Sequence, residues 1–200
     1  MFAVDEEKLD FLLRHHRQIR VIGFDDAPFV RHSNLPVAVA GIVCSQTRFE
    51  GMLWGHIRTD GWNSTQQVAN MILASKFHPQ VHLVLLDGIS MGGLNLINLP
   101  YLAQQIQLPC VAVMRKLPNI EKMAAAIRRL PHPETRLQIL AKAGEIHVHP
   151  PFYFQVCGLS GAITARILQR LTDTGNVPEA LRLAHLITAA VINGESGKRA

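Results

Sequence analysis

Four aspartates stand out among the residues able to do chemistry. Asp25 and Asp26 lie in the run RVIGFDDA (20–27), Asp60 follows EGMLWGHIRT (50–59), and Asp87 closes VHLVLLD (81–87). Each run reads as a strand, and no other acid after residue 10 falls at a strand end. Carboxylates gathered from distant positions repel one another unless a cation or a proton compensates. Their convergence would therefore imply a bound metal or shifted acidities. Oxygen ligands with no cysteine and no obvious histidine partner favour Mg²⁺ or Mn²⁺. One or two such ions activate water and stabilise a leaving oxygen, the chemistry of phosphodiester hydrolysis. Taken singly, each acid has a plainer role, because Asp60-Gly61 and Asp87-Gly88 are both Asp-Gly turns.

Other groups carry weaker signals. Gly88, Gly92 and Gly93 sit between a strand and a helix, where backbone N–H groups can meet a phosphate. They lack any known nucleotide-loop spacing, so a tight connection is the simpler reading. Arg115, ending PCVAVMR (109–115), is a further phosphate contact, and Trp62 beside Asp60 could stack on a base. His147 and His149 share one strand face but have no third ligand nearby, which favours a surface strand. Arg14-His15-His16-Arg17 and Arg128-Arg129 read first as solvated helix faces.

The elements that must position the acids follow from periodicity. A helix is expected over 5–16, with acids in its first turn, then strands at 20–27, 37–45 and 50–59, the last two a hairpin. A helix with Ser/Thr capping candidates spans 63–77. Buried strands at 81–87 and 109–115 flank a helix around 98–107. Helices at 119–130 and 133–143, a hairpin at 146–157, and helices at 160–173 and 178–193 complete the order. Three antiparallel strands followed by parallel crossovers make a mixed, twisted sheet, the order of the ribonuclease H-like α/β fold. A dinucleotide-binding sheet would begin β-α-β instead. With the first and fourth strands parallel, the ends carrying Asp25, Asp60 and Asp87 fall at one edge of the sheet.

Composition agrees with an enzyme of this kind. The chain has 200 residues, 48% hydrophobic and 18% charged, which fits one domain and excludes disorder. Twenty Lys and Arg face 15 Asp and Glu, and four of those acids lie in the first ten residues. Beyond them 19 bases oppose 11 acids, a balance that leans toward nucleic acid. Cys44, Cys110 and Cys157 lie in separate apolar runs and read as buried free thiols of a reducing cytoplasm. No run approaches the roughly 18 apolar residues of a membrane span, and the acidic start is unlike a signal peptide. Nothing indicates the oligomeric state.

The segments IGFDDAPF, RTDGWNST, LLDGISMGGLN, LPCVAVMRKLPN and VPEALRLAHLITAAVINGES resemble the endonuclease dU family, a relative of endonuclease V. The resemblance runs from about residue 18 to the C-terminus. It implies a ribonuclease H-like fold and Mg²⁺-dependent cleavage of DNA, ahead of RNA, beside uracil or hypoxanthine, leaving a 3′-hydroxyl and a 5′-phosphate. It assigns Asp25 and Asp87 to the metal, with Asp60 from the TDG turn, and leaves Asp26 to position water or a ligand. Pro178, Glu179 and Arg182 match a segment that looks structural, a helix start with good capping chemistry. Three features depart from the pattern. Asn63 stands where the family carries a second Asp, and Leu159 stands where endonuclease V has a histidine after a late strand. The strand-separating PYIP wedge has no counterpart. The same departures fit an alternative, a non-catalytic nucleic-acid-binding or regulatory protein on this fold. A third class is an enzyme handling small phosphorylated molecules at the same edge.

Overall fold

The computed structural model describes residues 6–30 and 35–197. Asp5, first residue of the expected amino-terminal helix, lies outside them. That helix is α1 (Glu6–Arg14), and three strands follow: β1 (Arg20–Asp26), β2 (Pro36–Ser45) and β3 (Arg48–Arg58). Then come α2 (Ser64–Leu73), a single 3₁₀ turn (His78–Gln80), and β4 (Leu83–Asp87). A short hairpin, β5 (Ser90–Met91) and β6 (Asn95–Leu96), leads into α3 (Leu99–Ile106) and β7 (Cys110–Met114). The chain continues through α4 (Ile120–Ile127), α5 (Pro133–Lys142), β8 (His147–His149), β9 (Phe152–Cys157), α6 (Gly161–Arg170) and α7 (Glu179–Asn193).

Seven strands form one mixed sheet in the order β3-β2-β1-β4-β7-β9-β8. β1, β2 and β3 are antiparallel neighbours, β1 and β4 are parallel, and β7 runs parallel to β4. β9 returns antiparallel against β7, with Gln155 opposite Ala112. The central strands are apolar on both sides because helices cover both faces. On one face Ile22, Phe24, Val84 and Leu86 pack with Val68, Ile72 and Leu102 of α2 and α3. On the other, Val21, Leu83 and Leu85 pack with Leu13 of α1, Leu168 of α6 and Ala180, Leu181 and Ala184 of α7.

Strand alternation decides where the acids point. Val21 belongs to the α7 face and Ile22 to the opposite one, so Gly23 and Asp25 face α7 while Asp26 faces away. Asp87 likewise follows Leu83 and Leu85 toward α7. At Gly23 the helix rides directly on the strand, because a Cβ there would stand 2.7 Å from the backbone carbon of Ala180. From that contact His185 lies about 7.5 Å along the helix at ~1.5 Å per residue. Asp25 lies about 7 Å along the strand, so the two side chains meet.

Candidate functional site

Asp25, Asp87 and His185 form a cluster in which one ligand atom from each lies within 4.8 Å of the others. Asp25 is 5% exposed, and its Oδ2 stands 3.0 Å from His185 Nδ1. Its Oδ1 accepts the backbone N–H of Asp26 at 2.8 Å. Asp87 has its Oδ2 3.6 Å from a guanidinium nitrogen of Arg115, which is half exposed at the rim. Burial raises the Asp87 carboxyl to about 6, and the Asp25 charge adds to the rise while Arg115 and His185 oppose it. The hydrogen bond to Asp25 holds the His185 imidazole above its ordinary 6.5. A buried and a partly buried carboxylate brought this close are an arrangement that a divalent cation relieves.

Asp26 serves the other face of the sheet. Its Oδ2 accepts the N–H of Gly92 at 3.0 Å, in the turn of the β5–β6 hairpin. Burial, then the Asp25 charge, pushes its carboxyl up to about 7, although the Gly92 N–H works the opposite way.

Asp60 is a correction to the expected donor set. Its strand end reaches the same sheet edge, but the carboxylate is not part of the cluster with Asp25 and Asp87. Asp60 Oδ1 accepts the N–H of Leu94 at 2.7 Å, and its backbone N–H donates to Gly92 O at 2.8 Å. It closes the glycine hairpin on the face opposite α7. Arg136 of α5, 2% exposed, completes the joint by donating to the carbonyls of Asp60, Gly61, Leu94 and Pro131. The same guanidinium lies 4.1 Å from the ring centroid of Trp62, whose other surface is open at 45% exposure. Asn63 turns inward as well, its Oδ1 accepting from Arg58 N and Asn95 Nδ2. The expected Ser/Thr cap of α2 is absent, because Ser64 Oγ donates to the β6 carbonyls of Asn95 and Leu96 instead. Gly88, Gly92 and Gly93 all have positive φ, and these residues build the connection between Asp87 and the hairpin.

His185 is the residue that sequence reasoning missed, having looked for a histidine at Leu159. Its signal was present in EALRLAHLITAAVIN: Glu179, Arg182, His185 and Thr188 recur every third residue as a polar stripe on an apolar helix. The first and last of these are buried, and Glu179 and Arg182 pair with each other. His147 and His149 both stack on Phe154 and join no ligand group among the described residues. Cys44 and Cys110 are buried, whereas Cys157 is only partly so, and all three are free. A hollow of about 200 Å³ borders Asp87 and Gly88 on the hairpin side. No described helix is long and apolar enough to cross a membrane.

The family model of endonuclease dU matches residues 17–192. The chain belongs to the endonuclease dU family. A UPF0215 protein of Archaeoglobus fulgidus is 34% identical over 181 residues, covering 90% of this chain and 98% of that relative. Among solved structures, a protein of unknown function from Archaeoglobus fulgidus superposes with a TM-score of 0.82 at 33% identity, over 86% of this chain and 98% of that one. Endonuclease V of Ciona intestinalis, in complex with a 24mer DNA containing an inosine followed by a ribo-adenosine, has a TM-score of 0.59 at 16% identity. That match covers 94% of this chain and 96% of the other, so the endonuclease dU chain shares the ribonuclease H-like fold of endonuclease V.

Proposed function

We propose that this protein is a divalent-metal-dependent endonuclease that hydrolyses DNA phosphodiester bonds beside a deaminated base, uracil or hypoxanthine. One observation carries the reading: Asp25, Asp87 and His185 meet at the carboxyl ends of adjacent parallel strands, in a chain of a nuclease-named family. Two carboxylates are hard donors suited to Mg²⁺ or Mn²⁺, the imidazole is a borderline donor that fits Mn²⁺ better than Mg²⁺, and these three residues would hold the ion. A bound divalent ion supplies polarisation of a phosphoryl oxygen and a more acidic water. The remaining work falls to the chain itself. Asp25 orients the His185 ring through Nδ1, and Asp26 fixes Asp25 through its backbone N–H. Arg115 offers a cation at the rim beside Asp87 for the substrate phosphate. The hollow next to Asp87 offers room for a base turned out of the stack, and the exposed face of Trp62 a stacking surface.

Calorimetric titration of Mn²⁺ into wild type and Asp25→Ala tests the centre, with a bound ion expected in the first and lost in the second. A nicking assay on uracil- and inosine-containing DNA tests the chemistry. Asp87→Asn should fold normally and cut at least ~100-fold more slowly, and cutting at the wild-type rate would overturn the mechanism. A second reading, a nucleic-acid-binding or regulatory protein without catalysis, draws on the inward commitment of Asp60 and Asn63, which leaves three donors. Single-stranded DNA binding that is indifferent to Mg²⁺ and Mn²⁺, without nicking, would favour it.

A further inference from the structure

The hollow of about 200 Å³ has walls of Ile89, Met114, Ile120 and Met123, with Asp87 at its border and Gln155 in its lining. Its volume corresponds to about seven waters at ~30 Å³ each, close to the eight or so heavy atoms of a pyrimidine. Gln155 is 3% exposed on β9. Its Nε2 donates to Gly144 O at 2.8 Å, and because a carbonyl only accepts, this contact fixes which way the amide points. Gly144 lines a second hollow, of about 440 Å³, on the far side of Gln155 and Ile120. Gln155 lines both hollows, so with Nε2 held by Gly144 it is Oε1 that remains to serve the one beside Asp87. Oε1 has no hydrogen-bond partner among the described residues. It is not sealed off either, since Thr59 Oγ1 is the one sealed side-chain atom without a partner among the described residues, so a donor arriving from outside can reach it.

We propose that Gln155 is a specificity-determining residue whose Oε1 accepts a hydrogen bond from the ring N–H of a base held beside Asp87. The proposal rests on the preceding reading for the presence of a base at this site. Uracil carries that proton on N3 and hypoxanthine on N1, each next to a ring carbonyl. Cytosine N3 and adenine N1 carry a lone pair instead, which would face Oε1 oxygen against nitrogen. One ring proton thus separates the deaminated bases from their parents, a discrimination that an apolar pocket alone cannot make. Thymine and guanine share the proton and differ from uracil and hypoxanthine by an added methyl and an added amino group.

Anisotropy titrations of single-stranded oligonucleotides, with Ca²⁺ replacing Mg²⁺ to separate binding from cleavage, test this directly. The probes carry uracil, N3-methyluracil or cytosine, and in a second series hypoxanthine, N1-methylhypoxanthine or adenine. Wild type should prefer the unmethylated lactam base of at least one series by about tenfold or more over both counterparts. Gln155→Met should erase that preference while melting as the wild type does. Gln155→Asn, with its amide drawn back by one methylene, should erase it too and gives the readout if the first variant folds poorly. An undiminished preference in the folded variants, or none in wild type, overturns the role of Gln155. Preference without nicking in Mg²⁺ or Mn²⁺ would support Gln155 and defeat the nuclease reading instead.

Discussion

His185 joins the two strand-end acids into a donor set, so its removal should be felt in ion binding before it is felt in folding. His185→Ala is expected to weaken Mn²⁺ binding by at least the 10–100-fold typical of losing even an outer partner, read by calorimetry. Its thermal midpoint should change little, because the imidazole is partly exposed at the sheet edge. The acids beside it set a pH dependence. Asp26, Asp87 and His185 all hold a proton more tightly in the folded chain, so the stability they contribute is complete at low pH and fades as pH rises. For Asp26 the loss runs from 3.8 to about 7, for Asp87 from 3.8 to about 6, and for His185 from 6.5 upward. Two groups act oppositely: Glu50, lowered by its bonds to Arg20 and Arg48, only below 4.5, and His82, lowered by burial, below 6.5. The ion-free protein should therefore melt higher at pH 5 than at pH 8, and Asp26→Asn should flatten that slope. A midpoint rising over the same interval would contradict the assignment. The acids were legible in the sequence because strand ends are marked by a change in hydrophobic pattern. The histidine was not, because the polar stripe it shares with Glu179, Arg182 and Thr188 marks one face of α7 without saying what that face meets.

At the scale of elements, the β5–β6 hairpin is what sequence periodicity could not resolve. Two-residue strands are too short to alternate, so the run between Asp87 and α3 read only as a glycine-rich connection. Its form is set from outside, by Asp26 on Gly92, Asp60 on Leu94 and Arg136 on the carbonyls beneath. Nothing about Arg136 in the pattern of α5 announces this, since its partners lie in other parts of the chain. The two flanking glycines should respond differently to substitution. Gly88 has φ +86 with open space around it, so Gly88→Ala should cost about 1–2 kcal/mol of backbone strain alone. Gly93 has φ +87, and a Cβ there would fall against Asp60 Oδ1, so Gly93→Ala adds the displacement of that carboxylate from Leu94. Urea unfolding should rank Gly93→Ala as the less stable by at least ~1 kcal/mol. Equal costs would mean that Asp60 does not anchor the hairpin.

Across the whole molecule, element order made the sheet readable, because three strands before the first crossover leave few topologies. Side-chain direction was harder, since Asp25 and Asp26 are the same residue type and only register against α7 and the hairpin tells them apart. The charge balance has a clear physical outcome. Nineteen bases oppose 11 acids after residue 10, and two of those acids, Asp25 and Asp87, are taken up together in one cluster. On the proposed function, DNA affinity should fall steeply, by about tenfold or more, between roughly 50 and 200 mM salt, and a flat response would remove the electrostatic interface. A different consequence follows from the bond between Asp25 and His185, which spans 160 residues of sequence. At roughly 5–20 residues per second, a ribosome releases both aspartates several seconds before it has made the histidine. Until α7 has been made and docks on β1, a growing chain holds two of the three residues of the cluster, so the cluster is completed late.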